Sequence, residues 1–234
     1  DELCTAGRTL WARLRPGGGR SGTALRSTPI VLLPRREAQR WSALARDADD
    51  APLGSRAQRV MDVLQQQGAL FFDEIADAAH LMNTELEDAL SELVMRGRAH
   101  CDSYAGLRAL LVPASKRPSA LSRHRRRASA LGIRDAGRWA PVRALPELPL
   151  AEAGERHQEA LEHVARTLLR RYGVVCWRLL EREAAWLPPW RELLRMYQRL
   201  EPRGEIRGGR FIAGLSGEQF ALPDAIAALR RVRA

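Results

Sequence analysis

Apolar residues recur at three- and four-residue intervals along several stretches of the chain. Between these stretches lie short apolar runs bounded by Gly and Pro. The clearest helical stretch runs from Pro188-Pro189 to Leu200, with Leu193, Leu194, Tyr197 and Leu200 on one face. Two prolines suit its start, because the first backbone N–H groups of a helix have no internal acceptor. Arg191, Arg195 and Arg199 recur on another face, and Glu201-Pro202-Arg203-Gly204 stops the helix. Glu205-Ile206-Arg207 then leads into Phe211-Ile212-Ala213. A turn at Leu215-Ser216-Gly217-Glu218 joins this run to Gln219-Phe220-Ala221-Leu222.

A helix followed by a two-stranded ribbon is the second half of a winged helix. That module commonly lays its helix in the major groove of duplex DNA with the ribbon beside the backbone. Upstream, Leu161, Val164, Leu168 and Leu169 predict a helix over 159–171, Tyr172 to Val175 a short strand or turn, and Cys176 to Glu183 a second helix. Pro223-Asp224 opens a closing helix with Ile226 and Leu229 inside. Residues 154–234 therefore read as one winged-helix module.

A second complete module spans 55–113. Its first helix covers 59–67 and ends at Gly68. Phe71-Phe72 leads into a second over 73–80, and Thr84-x-x-Glu87 is a capping-box pattern that starts a third, with Leu86, Leu90, Leu93 and Val94 inside. Ala99 to Val112 is expected to supply its hairpin. Residues 1–50 read as the C-terminal part of another module plus a short helix over 35–44. A Gly-rich turn at 15–22 separates two expected strands, 7–11 and 27–34. Asp47 to Gly54 reads as an acidic linker. Residues 114–153 read as a basic connector, with Trp139 pinning 138–142 to a module surface. The pattern of helix, Arg-Gly, strand, turn and Pro-terminated strand occurs at 96–113 and 203–223, and in worn form at 7–34. The fold class expected is mainly α with small β-ribbons, built of tandem winged-helix modules.

Charge sharpens this picture. Lys+Arg 38 against Asp+Glu 28 gives net +10, which points to an anionic partner, most simply DNA. All basic residues but Lys116 are Arg, which fits high-GC coding as well as phosphate recognition. Arg191, Arg195 and Arg199, extended by Arg203, Arg207 and Arg210 toward the ribbon, are the candidate nucleic-acid-binding residues. A solvated helix face paired locally by Glu192 and Glu201 is the plainer alternative. The matching helix of the middle module carries Glu85, Glu87, Asp88 and Glu92, which a phosphate-lined groove would repel. That module is expected to pack on protein.

Little in the chain is catalytic in pattern. No lysine follows a glycine loop as phosphate-binding motors need, and His157 and His163 lack the spacing of a zinc helix. Cys4, Cys101 and Cys176 are far apart and odd in number, which favours a reducing cytoplasm over a disulfide framework. No apolar run reaches membrane-span length. Asp224 at a helix start is a dipole partner first and a candidate catalytic base toward a flipped nucleotide second. Trp186 and Trp190 could stack an unpaired base, although tryptophans more commonly anchor cores. The chain begins at Asp1 without Met and is expected to be a piece of a longer protein.

Arg170 to Val175, Leu179 to Glu183 and Trp190 to Arg195 resemble the C-terminal region of bacterial large helicase-related (Lhr) proteins. The strongest signals are Arg203-Gly204-Glu205-Ile206-Arg207-Gly208-Gly209-Arg210-Phe211 and Gly217 to Pro223. Ser27 to Ile30 and Gly137-Arg138-Trp139 fit the same region. The resemblance implies an extension of tandem winged-helix units on an ATP-dependent DNA repair helicase. Motor domains, ATP and Mg would belong to the parent chain, and this piece is expected to need no cofactor of its own. It further implies kinship with winged-helix DNA glycosylases and a link to oligomer assembly. Three readings stand: a DNA-binding and self-associating module, a base-excision enzyme using a residue such as Asp224, and a structural homo-oligomeric scaffold.

Overall fold

The computed structural model describes residues 1–14, 30–44, 52–112, 132–142, 149–184 and 186–233. The Gly-rich turn at 15–22, most of the acidic linker and the basic stretch 113–131 lie outside the described residues. Unit one comprises Asp1–Ala38 and Asp47–Ala144, and unit two comprises Gln39–Arg46 and Leu145–Ala234.

Unit one starts with helix α1 (Glu2–Thr5) and the antiparallel strands β1 (Thr9–Ala12) and β2 (Val31–Pro34). Helix α2 (Ala38–Leu44) follows, and its Trp41 belongs to unit two. The chain then runs through α3 (Ser55–Gln67), β3 (Leu70–Phe71), α4 (Phe72–Ala79), α5 (Asn83–Met95), β4 (Ala99–Cys101), α6 (Tyr104–Leu111) and β5 (Arg138–Pro141). Val60, Leu64, Phe72, Ile75, Leu86 and Leu90 are fully buried between its helices. Trp11 reaches this core from β1, and its indole N–H donates to the Ser103 carbonyl at 2.9 Å.

The expected hairpin over 99–112 is not formed. Only β4 is extended, because the Ser103 hydroxyl accepts from the amides of Ala105 (3.0 Å) and Gly106 (3.4 Å) and so starts α6. The partner of β4 comes instead from the stretch read as a basic connector. β5 lies between β3 and β4 in an antiparallel sheet, and Trp139 is a fully buried core residue, not a surface pin. The third helix also starts differently. Its first free amide, on Met82, donates to Glu85 at 3.0 Å, so Glu85 does the capping expected of the Thr84–Glu87 pair.

Unit two follows the same plan: α7 (Leu150–Tyr172), β6 (Val174–Val175), α8 (Trp177–Leu180), α9 (Trp190–Leu200), β7 (Arg207–Gly209), β8 (Gln219–Ala221) and α10 (Pro223–Arg233). Its sheet order, β6-β8-β7, repeats the β3-β5-β4 order of unit one: the first and second strands flank the third. In each unit three successive helices, α3 to α5 and α7 to α9, are accompanied by such a sheet, which makes the chain a mainly α protein with small antiparallel sheets and winged-helix units. α7 begins nine residues before the expected start. The charged stretch there lacks apolar periodicity but is rich in Ala, Glu and other good helix formers. α8 is shorter than the expected 176–183, because Glu183 turns back to bind Arg171 at 2.6 Å and the Tyr172 hydroxyl.

The ribbon is redrawn too. Phe211-Ile212-Ala213 is not a strand; β7 lies earlier. The reason is Gln219, whose side chain is completely buried. Its carbonyl oxygen accepts from the amides of Phe211 (2.9 Å) and Ile212 (2.8 Å). Its amide donates to the carbonyls of Ile212 (3.0 Å) and Leu215 (3.0 Å). The backbone groups at 211 and 212 are thereby removed from ladder pairing. Two glycines make room beside this clamp. A Cβ on Gly208 would sit 3.0 Å from the Glu201 carboxylate, which accepts the Gly208 amide at 2.8 Å, and one on Gly209 would sit 3.1 Å from the Phe211 ring.

Replacing Gln219 by Leu keeps the volume but strands four backbone partners. Urea unfolding followed by tryptophan fluorescence should show a loss of about 2–4 kcal/mol. A change below about 0.5 kcal/mol would mean that water replaces the clamp.

Candidate nucleic-acid interface

α9 is anchored on two sides. Leu193, Met196, Tyr197 and Leu200 are buried, and Leu194, expected on that face, is only half-buried. The Tyr197 hydroxyl donates to the Ala165 carbonyl of α7 at 3.3 Å, and its ring stacks on Phe220 of β8 at 5.2 Å. Burial raises the Tyr197 phenol well above its ordinary range, so it stays a neutral donor. Phasing the helix on these residues leaves Arg191, Arg195 and Gln198 pointing outward, all exposed. Gln198 was not singled out in the sequence. Its position at i+3 from Arg195 is the signal, and a glutamine amide on such a helix suits an adenine edge.

The six arginines fall into two groups. Arg191, Arg195, Arg207 and Arg210 are exposed and make no side-chain hydrogen bond or ion pair among the described residues. Arg199 and Arg203 are exposed but engaged. Arg199 donates to Gln158 at 3.0 Å, and Arg203 bonds Glu162 at 3.1 Å. Glu162 also pairs with Arg166 at 2.6 Å, and Arg166 reaches Glu205 through two bonds of 2.9 Å each. This network ties α7 to the turn after α9.

The acids near α9 are occupied as well. Glu192 lies 3.6 Å from His157, and Glu201 takes the Gly208 amide. The outward face of α9 is therefore positive, with Arg191 and Arg195 making no ion pair among the described residues. α5, the corresponding helix of unit one, is the reverse. Its Asp88 is exposed, while Glu85 binds Arg56 at 2.8 Å, and Glu92 takes the Gly54 amide at 2.9 Å and pairs with Arg96 at 3.4 Å. The acidity that argued against a groove is spent largely within its own unit.

Between α7 and α9 lies a cavity of about 270 Å³. Leu161 and Met196 form its buried floor. Its polar lining is His157 and Gln158 from α7, with Arg191, Glu192, Arg195 and Arg199 from α9. Gln158 was not singled out in the sequence and His157 was weighed only as a metal ligand, because the helix was expected to begin after both. Asp224 is elsewhere: it is exposed in the first turn of α10, which contributes nothing to this cavity. Trp186 meets Trp41 edge-on at 6.0 Å and Trp190 tilts against Tyr197 at 5.9 Å, so both rings contact protein. Cys4, Cys101 and Cys176 are buried free thiols, and burial pushes the Cys101 thiol up to about 12. Among the described residues no cluster of His, Cys, Asp and Glu could hold a metal ion, and no helix is long and apolar enough to cross a membrane.

Residues 154–234 match the winged-helix domain of the large helicase-related protein family. The Lhr helicase/uracil glycosylase of Escherichia coli (strain K12) is 29% identical over 245 residues, which takes in 94% of this chain and 15% of that protein. The Lhr helicase/probable uracil glycosylase of Mycolicibacterium smegmatis is 27% identical over 256 residues, covering 98% of this chain and 15% of that protein. The chain thus spans about 15% of the length of these relatives.

The Arg166–Glu205 pair gives a pH test. Hydrogen bonding from Arg166, with its charge, holds the Glu205 carboxyl below its ordinary value. A carboxylate depressed on folding stabilises above its unfolded pKa, and that contribution is lost as pH falls through the folded one. Melting curves should therefore decline from pH 6 toward pH 3, and Arg166→Met should flatten the decline by less than about 1 kcal/mol, since both side chains are more than a third exposed. Parallel curves for the two proteins would show the pair to be silent.

Proposed function

We propose that this chain, whose residues 154–234 belong to the winged-helix domain family of large helicase-related proteins, is a DNA-binding arm of an ATP-dependent DNA helicase and carries no motor of its own. The observation that carries this reading is the arginine-rich outward face of α9. Arg191, Arg195 and Gln198 point outward, the nearby acids are engaged, and the wing adds Arg207 and Arg210. The free guanidinium groups neutralise phosphates and give affinity and register, while Gln198 is placed to meet a base edge. ATP and Mg serve the parent's motor domains. A role in repair and self-association belong to the same reading.

Duplex DNA titrated at several salt concentrations should bind with a steep log–log slope. Changing Arg191, Arg195 and Arg199 to Glu should abolish binding with the circular dichroism spectrum kept, and changing them singly to Ala should lower the slope by roughly one unit each. Unchanged binding in the triple variant would refute the assignment. Light scattering on the same samples should give a mass above the 26.2 kDa of one chain if self-association holds.

A second reading rests on the names of both relatives, which include uracil glycosylase activity. Asp224 is the carboxylate that the chain offers for it. A uracil-containing duplex incubated with the chain and then cleaved at abasic sites should give product that Asp224→Asn removes. Full activity in that variant would exclude Asp224, and product no higher than a buffer control would exclude the activity from this piece.

A further inference from the structure

The turn between β7 and β8 is held more firmly than an exposed loop requires. Both backbone groups of Ile212 are engaged by one side chain. Its amide donates to the Gln219 carbonyl oxygen at 2.8 Å, and its carbonyl accepts from the Gln219 amide at 3.0 Å. The same Gln219 amide reaches the Leu215 carbonyl at 3.0 Å, so both ends of the turn at 212–214 hang on one completely buried residue. From the other side the Trp177 indole N–H donates to the Ser216 carbonyl at 3.1 Å. Gly217, at φ +87°, leaves room for that ring: a Cβ there would sit 3.2 Å from it.

The tip that these bonds fix is apolar and reaches solvent. Ile212 is 38% exposed, Ala213 and Gly214 are exposed, and a Cβ added at Gly214 would meet nothing within 4 Å. A lone exposed isoleucine is ordinary on a protein surface. Ile212 differs in having a rigid backbone beneath it and cations beside it. Arg207 and Arg210, both exposed, make no ion pair among the described residues, and the exposed acid Glu218 lies on the far side of the turn. A wing that only neutralised phosphates would gain nothing from an apolar tip. Such a tip gains where it leaves water, and a wing that follows the DNA backbone meets a broad apolar surface when a base step opens. A preformed loop loses little freedom on insertion, which offsets part of the unstacking cost.

We infer that Ile212 is a wedge that enters the minor groove and inserts between two base pairs at a flexible pyrimidine–purine step, with Arg207 and Arg210 on the flanking phosphates. The inference rests on the DNA-binding reading and deepens it: the wing deforms the duplex that α9 holds. Side chains used in this way kink DNA by roughly 20–90°.

The test uses the whole chain and a duplex with 2-aminopurine in a central TpA step, since the fluorescence of that base rises when it is unstacked. Saturating protein should raise the signal about twofold or more. Ile212→Ala should remove most of the rise while weakening binding by less than about tenfold, because the arginine contacts remain. Ile212→Phe, a bulkier wedge, should keep the rise. Arg191→Ala should weaken binding and still give the full rise at saturation. The isoleucine changes are at an exposed position and should leave the circular dichroism spectrum unchanged. The wedge is overturned if the bound duplex gives no rise, if Ile212→Ala gives the full rise, or if the rise appears only in forked DNA. Duplex binding without a rise would sink the wedge and leave the DNA-binding reading, whereas no duplex binding at all would sink both.

Discussion

Unit two depends on the three residues of β8. Gln219 fixes the wing through four hydrogen bonds from a fully buried amide. Phe220 stacks on Tyr197 and so sets α9. Ala221 pairs with both Val174 and Arg207, which makes β8 the central strand. A buried glutamine with every donor and acceptor used is a high-stakes group: satisfied, it specifies one arrangement, and broken, it leaves several orphans at once. Two surfaces that could meet a nucleic acid, the outward face of α9 and the wing, are therefore positioned from one short segment. The Arg-Gly-Gly-Arg-Phe run reads accordingly. Its two glycines yield space to Glu201 and Phe211, Phe211 closes over the second of them, and only the two arginines are left for a partner.

Much of this was legible in the sequence where apolar periodicity is strong. α5 and α9 lie where their buried stripes put them, and α3 ends at the expected Gln67 but starts at Ser55, four residues before the expected start, because three or four apolar residues on one face determine a helix and its inward side but not its first turn. Two of the misses share a cause: a side chain took over backbone bonding. Ser103 turned an expected strand into α6, and Gln219 took the amides of Phe211 and Ile212 out of the ribbon. Periodicity carries no information about such contacts. The first turns of α7 were missed for the opposite reason, since propensity without an apolar stripe holds them helical. That omission hid part of the groove, because His157 and Gln158 of its wall lie on those turns.

The charge of the candidate site was only half legible. Residue type and spacing identify the arginine stripe, but they do not tell a free guanidinium from an engaged one. Arg203 belongs to a network with Glu162, Arg166 and Glu205 that fastens helix to turn, so its removal would disturb folding as well as binding. Arg191 and Arg195 have no such role, and their contribution should fall on affinity alone. The same sorting applies to α5, whose acids looked like a repulsive face and are in large part caps and ion pairs.

Connectivity changes the meaning of the basic stretch between β4 and β5. β4 ends at Cys101 and β5 begins at Arg138, and the two are hydrogen-bonded neighbours in one sheet. Residues 102–137 therefore occupy, by chain order, the place that 210–218 hold between β7 and β8. Of the arginines expected in a connector between modules, Arg134 pairs with Asp73 of α4 at 3.4 Å and Arg138 begins β5, so both belong to unit one. Trp139, completely buried in β5, anchors the returning end: a tryptophan that the sequence places in a linker is there because the linker contains the strand that completes the fold.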